Sequence, residues 1–284
     1  MAAVHFPEEA PVTDQPDWVT PEVDTKRANV ARVYDYLLGG SHNFLADQDL
    51  GRSMAAVEPN VRVFARANRE FLGQVVRFLC DTGVSQFLDI GSGIPTQGNV
   101  HEVAQRANPA ARVAYADIDP VAVAHSKAIL ADNDNATVVR GDLREPEAIL
   151  SEPAVRGLID FAQPVGLLLV SVLPFVADSD DPWRQVATLR DALAPGSYLA
   201  LCHGTADGNP ARMQALGKVY TSSVPAPVDG RSRADILRFF DGFELVEPGL
   251  VYISQWRPAA PAADLNADSH VWGLVGVGRK PALR

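Results

Sequence analysis

From Gly83 onward the chain keeps changing period, and this limits its fold more than any other feature. Short apolar runs (QFLDI, RVAYADI, ATVVRGD, VGLLLVSVL and SYLALCHG) alternate with stretches of helical spacing at 98–107, 120–132, 145–151 and 182–193. Strands that alternate with helices imply a mainly parallel, doubly wound α/β sheet. After the fifth run come helical stretches at 209–219 and 232–240, then two more strand candidates, FELVE and VWGLVGVG. Only a Pro/Ala loop at 258–263 separates those two, too little for a crossover helix, so the last strand is expected to run antiparallel. The expectation is a seven-stranded, Rossmann-like sheet.

The region before Gly83 reads differently. Residues 1–24 are rich in Pro and acids, show no period, and are expected to form a flexible tail. From Thr25, Val30, Val33, Tyr34, Leu37 and Leu38 recur at spacings of three and four, and Gly39-Gly40 ends that helix. Further helices are expected over 47–57 and 61–79, with Pro59 marking the break. The division is therefore a tail (1–24), an N-terminal helical cap (25–82) and a sheet domain (83–284).

Composition narrows the partners. Acids outnumber bases 35 to 25, a formal net charge of -10, which disfavours general nucleic-acid binding. The short basic clusters at Arg62, Arg66, Arg69 and at Arg231, Arg233 read as solvated helix faces. Cys80 and Cys202 are far apart without CxxC spacing, so neither a disulfide framework nor a zinc site is expected, and no His/Cys/Asp cluster has metal-ligand spacing. The chain lacks a basic, apolar leader and has no run of about 18 apolar residues. A cytoplasmic protein without membrane association is expected; the oligomeric state is not encoded.

The chemistry lies in FLDIGSGIPT, residues 87–96. Gly91 and Gly93 let the backbone turn sharply and approach a ligand. A dinucleotide site needs a third glycine, but Pro95 and Thr96 stand there, and the carboxylate of Asp89 would repel a pyrophosphate. That carboxylate suits an amine, and S-adenosyl-L-methionine offers an amine without a phosphate. The later strand ends agree. Asp117, with Asp119 close behind, lies where an acid accepts hydrogen bonds from ribose hydroxyls. Asp142 and the Leu143 amide are placed to read adenine, and Ser171 ends the fourth run beside the sulfonium position. Singly each acid is an ordinary cap or turn residue; together they point to this cofactor.

Residues 84–280 resemble a class I S-adenosylmethionine-dependent methyltransferase. Asp89, Gly91 and Gly93 match its first motif, Asp117 its ribose acid and Asp142 its adenine acid, and GFELVEPG with HVWGLVGVGRKP resembles its reversed last strand pair. From about Thr25 the chain is similar to an actinobacterial S-adenosyl methyltransferase family largely without assigned substrates, through ARVYDYLLGGSHNF, FLDIGSGIPT and YADIDP. The resemblance implies cofactor binding and leaves the acceptor open. With Pro95-Thr96 in place of a third glycine, the Thr96 hydroxyl and the turn amides become candidates for the methionine carboxylate.

YDYLLGGSHNF is either a helix with a glycine stop or a cap over the cofactor. In the second case Tyr34 or Tyr36 flanks the sulfonium or adenine, Asn43 bonds the methionine end, and Arg66 and Asn68 bond the loop or the carboxylate. Methyl transfer is an in-line displacement that needs a base only for a protonated acceptor, so no catalytic residue is obligatory. His203, at the end of the fifth strand, and His42 are the candidates; His101 and His125 read as packing residues. The acceptor pocket is expected from the cap, 172–181 and 204–230, with Met213, Val219, Tyr220 and Val224 lining or packing. A small-molecule acceptor is expected. A cofactor-binding regulator that transfers nothing, and a nicotinamide oxidoreductase, are the competing readings.

Overall fold

Buried apolar runs without alternation become strands covered on both faces. The computed structural model describes residues 24–95, 98–207, 209–224, 228–257 and 273–282; the expected tail apart from Asp24, Thr96 and the loop at 258–263 lie outside them. Helices α1 (Val30–Leu38), α2 (Leu45–Val57) and α3 (Val61–Asp81) come first. Then β1 (Gln86–Ile90), α4 (Val100–Ala107), β2 (Arg112–Asp117), α5 (Pro120–Ile129) and β3 (Ala136–Arg140) alternate. The chain continues through α6 (Pro146–Ser151), α7 (Pro153–Leu158), β4 (Gly166–Val170), α8 (Pro182–Asp191) and β5 (Tyr198–Gly204). Helices α9 (Pro210–Thr221) and α10 (Arg233–Leu237) and strands β6 (Glu244–Leu245), β7 (Val251–Tyr252) and β8 (Gly273–Arg279) complete it.

The sheet order is β3-β2-β1-β4-β5-β8-β6, with β7 also paired to β8. Strands β1 to β5 are parallel, and β8 runs antiparallel to β5, β6 and β7. The described residues thus form eight strands, one more than expected. The extra one, β7, is a two-residue pairing too short to carry a period. The reversed strand β8 inserts between β5 and β6, as the short connection required.

Two cores flank the sheet. Phe87 of β1 joins Phe71, Val75, Val76 and Leu79 of α3 on one face, and Leu88 joins Ile149, Val186 and Leu189 of α6 and α8 on the other. A third cluster, of Val33, Leu37, Leu50, Met54, Leu216 and Tyr220, fills the space between α1, α2 and α9. Helix α3 thus spans two environments. Its last turns are part of the sheet's core, while Val61 and Ala65 belong to the third cluster.

Candidate functional site

Parallel strands direct their C-terminal ends to one edge, and a crevice forms there where the strand order reverses. In this sheet the reversal lies between β1 and β4. A cavity of about 360 Å³ opens at that edge. Tyr34, Asp89, Gly91, Gly93, Asp117, Asp119, Asp142, Leu143 and Ser171 all line it, although they come from five separate stretches of sequence.

Asp89, next to last in β1, is almost fully buried. Burial pushes its carboxyl up to about 7, the Arg69 guanidinium opposing and Asp117 adding to the rise. Gly91 follows at φ 73°, where a Cβ would meet Val172 Cγ2 at 2.4 Å, so side-chain substitution is blocked by backbone and neighbour together. The turn is held by the second strand. Gly91 N donates to Ala116 O at 2.8 Å, and Gly93 N donates to Asp117 Oδ2 at 2.7 Å. Asp117 Oδ1 accepts from Asp119 N at 2.8 Å. Burial outweighs those hydrogen bonds and raises Asp117 to about 6.

Asp119 serves mainly its own helix. Its Oδ1 accepts from Val121 N and Ala122 N at the start of α5. Its Oδ2 is buried without a hydrogen-bond partner, 3.8 Å from Arg32 Nη1. Asp142 is clamped by Arg144, whose Nε lies 3.0 Å from both carboxylate oxygens. Burial pulls Asp142 up, but the bonds from Arg144 prevail and hold it below its usual range. Ser171, at φ 62°, donates to Asn68 Oδ1; Asn68 Nδ2 donates to Tyr34 Oη, and Tyr34 donates to Ala65 O. This chain joins the end of β4 to α3 and α1, and burial pushes the Tyr34 phenol up to about 12.

The remaining sequence candidates stand elsewhere. Asn43 does not line the cavity: its Nδ2 donates to Asp35 Oδ2 and Gly40 O. Asp35, buried under the Gly39-Gly40 turn, also accepts from His42 N, so the YDYLLGGSHNF signature is in large part a turn closed on Asp35. The His42 ring lies 4.1 Å from that of His125, also off the cavity. Tyr36 is covered by Arg62 instead of facing the site. His203 is fully buried, its Nδ1 bonds Gly204 O, and its Nε2 accepts from Arg231 Nη1 at 2.7 Å. Burial, helped by Arg231, lowers it to about 3, and both ring nitrogens are engaged inside the protein. Thr96 lies outside the described residues. Met213 and Tyr220 line the cavity, whereas Val219 and Val224 pack in the third cluster.

Sequence reasoning took Arg69 for part of a solvated helix face, missed Ile118 and undervalued Asn68. Asn68 falls on the buried stripe of α3 with Ala65, Leu72, Val75 and Leu79, a polar residue at an apolar register. Arg69 is its neighbour on the cavity wall, and its Nη2 donates to Asn99 Oδ1 at 3.3 Å. Ile118, half exposed between two buried acids, leaves an apolar side chain beside the carboxylates. Among the described residues no His/Cys/Asp/Glu group is arranged to hold a metal, and no helix is long and apolar enough to cross a membrane.

Comparison with known proteins gives the same direction. A family model described as S-adenosyl methyltransferase matches residues 16–281. Among solved structures, the chain is similar to a DUF574 family protein from Streptomyces avermitilis, with 38% identity, 91% of this chain and 99% of that chain covered, and a TM-score of 0.87. It is also similar to a provisionally assigned methyltransferase from Thermobifida fusca, with 44% identity, 91% and 96% covered, and a TM-score of 0.85. No curated protein matches it.

Proposed function

The chain belongs to the S-adenosyl methyltransferase family, and we propose that it moves a methyl group from S-adenosylmethionine to a small-molecule acceptor held in the cavity at the end of the sheet. The observation that carries this reading is the union, in one cavity, of three strand-end carboxylates with an apolar helical wall.

The residues present fit the cofactor. The side of Gly93 where a Cβ would stand is open, with no atom within 4 Å. Ser92 Oγ and Asp119 Oδ2 are buried without hydrogen-bond partners, and the Asp89 carboxylate takes no hydrogen bond from the described residues. A ligand with an amine and hydroxyls would satisfy such groups, whereas leaving them unmade costs about 1–3 kcal/mol each. In this reading Asp89 takes the amine, and Arg69 with the turn around Gly91 and Gly93 takes the carboxylate. Asp117 takes the ribose, Ile118 covers the base, and Asp142 with the Leu143 amide reads its edge. Ser171, fixed by Asn68 and Tyr34, borders the reacting end.

When bound, the cofactor supplies a methyl group already activated on a sulfonium. What remains for the protein is alignment and exclusion of water. No histidine lines the cavity among the described residues, so the transfer is proposed to run by positioning without a dedicated imidazole base.

Calorimetry with S-adenosylhomocysteine, NAD and NADP tests the cofactor half. S-adenosylhomocysteine is expected to bind at least a hundredfold more tightly than either dinucleotide, and equal binding of NAD overturns the reading. Turnover of methyl-labelled cofactor against extracts separated into small-molecule and macromolecular fractions tests the other half. Label confined to protein or nucleic acid would refute a small-molecule acceptor.

A further inference from the structure

The cavity has two chemically different ends. The strand-end side carries the carboxylates. The opposite side is built from the third apolar cluster, where Leu37 of α1, Met54 of α2, Val61 of α3, Leu216 and Tyr220 of α9, and Phe175 after β4 meet. None of these six carries a charge. The carboxylate that acts on Tyr220, that of Asp47, is already bonded to Arg32, so a charged group placed among the six would lose its hydration without gaining a free partner.

Tyr220 stands out on that wall. It is 4% exposed, lines the cavity, and its phenol has no hydrogen-bond partner among the described residues. The other tyrosine there, Tyr34, is already engaged by Asn68 and Ala65. Burial raises the Tyr220 phenol well above its usual range, so it keeps its proton and offers an O–H donor. Its ring centroid lies 5.4 Å from that of Phe175 at an interplanar angle of 41°, so two aromatic faces border the same space.

We infer that the methyl acceptor is a neutral, mostly apolar, ring-bearing molecule with an oxygen that takes a hydrogen bond from Tyr220. This rests on the methyltransferase reading above and specifies its second substrate. The neutrality follows from the six uncharged side chains, the oxygen from the unspent donor that Tyr220 holds among them, and the flat ring from the pair of aromatic faces. The inference also assigns Tyr220 as a specificity-determining residue: it discriminates by the cost of leaving a buried donor unpaired, not by acid–base chemistry.

The test uses the full chain saturated with S-adenosylhomocysteine, titrated at pH 7.5 with 2-naphthol, naphthalene, 2-naphthoate and 2-naphthylmethylamine, and read by ligand-observed NMR. The neutral pair is expected to bind at least tenfold more tightly than the charged pair. Tyr220→Phe is expected to weaken 2-naphthol fivefold to tenfold, leave naphthalene within twofold, and leave S-adenosylhomocysteine affinity unchanged. The last value doubles as the check that the variant is folded. If S-adenosylhomocysteine binds but the charged probes match or exceed the neutral ones, or no probe binds, the inference fails while the cofactor reading stands. An unchanged ratio of 2-naphthol to naphthalene in Tyr220→Phe removes the role of Tyr220. A wild-type chain that does not bind S-adenosylhomocysteine overturns both.

Discussion

Asp89 shows how a single buried carboxyl can weigh against folding. Its carboxyl titrates near 7 in the native chain and near 3.8 when exposed, because burial penalises the charge more than Arg69 relieves it. Between those values the native state holds a proton that the unfolded state has released. Stability therefore falls as pH rises from about 4 to about 7 and levels off above. Asp117, raised to about 6, acts in the same direction. Asp89→Asn is accordingly expected to raise the stability of the ligand-free protein at pH 8 by on the order of 2–4 kcal/mol, and to remove most S-adenosylhomocysteine affinity. Urea midpoints at pH 5 and pH 8 check the first effect: the wild type should lose stability between them and the variant should lose much less. Asp117→Ala should do the reverse, because Gly93 N and Asp119 N lose their acceptor. A cost of about 1–3 kcal/mol in stability or binding is expected, and unchanged calorimetric affinity would mean that the ribose is held elsewhere.

At the scale of elements, the loop after β4 is shaped by an arginine 53 residues downstream of its ion-pair partner. Arg231 donates to Leu173 O, Val176 O, His203 Nε2 and the Asp178 carboxylate, with its own side chain 3% exposed. The two backbone carbonyls have few alternatives, whereas Asp178 is 62% exposed and returns to water at little cost. Arg231→Met should therefore destabilise by about 2–4 kcal/mol, against less than about 1 kcal/mol for Asp178→Ala, both read from denaturant midpoints. Equal losses would show that the ion pair, and not the carbonyl bonds, holds the loop. The same element logic explains the N-terminal signature. Asp47 accepts from Asn29 N, Arg32 Nε and Phe44 N, and so ties the start of α1 to the start of α2. The aromatics and glycines of YDYLLGGSHNF read in sequence as a lid over the ligand. The structure spends Asp35 and Asn43 on the turn and leaves Tyr34 and Leu37 as the signature's contribution to the cavity wall.

At the scale of the whole molecule, helices α1 to α3 and the sheet close one cavity from opposite sides, so ligand binding stabilises both. S-adenosylhomocysteine at a hundredfold excess over its Kd should add about 2.7 kcal/mol, seen as a rise in Tm on the order of 5 °C. Slowed amide exchange should appear in α1 as well as at the ends of β1 and β2; protection confined to the strands would show that the helices do not sense the ligand. The sequence alone determined the alternating architecture, the reversed last strand and the strand-end acids, because period, breaker residues and the acid that ends an apolar run are local properties. It carried no sign of β7, whose two residues have no period, nor of where α3 divides between two cores. Nor did it show that the strand-end His203 is fully buried with the Arg231 guanidinium packed against it. Arg69, Phe175 and Tyr220 became neighbours of one cavity only through folding. Which side chains share a cavity, and which spend their hydrogen bonds inside the protein, depends on distant segments meeting, and that is settled by packing.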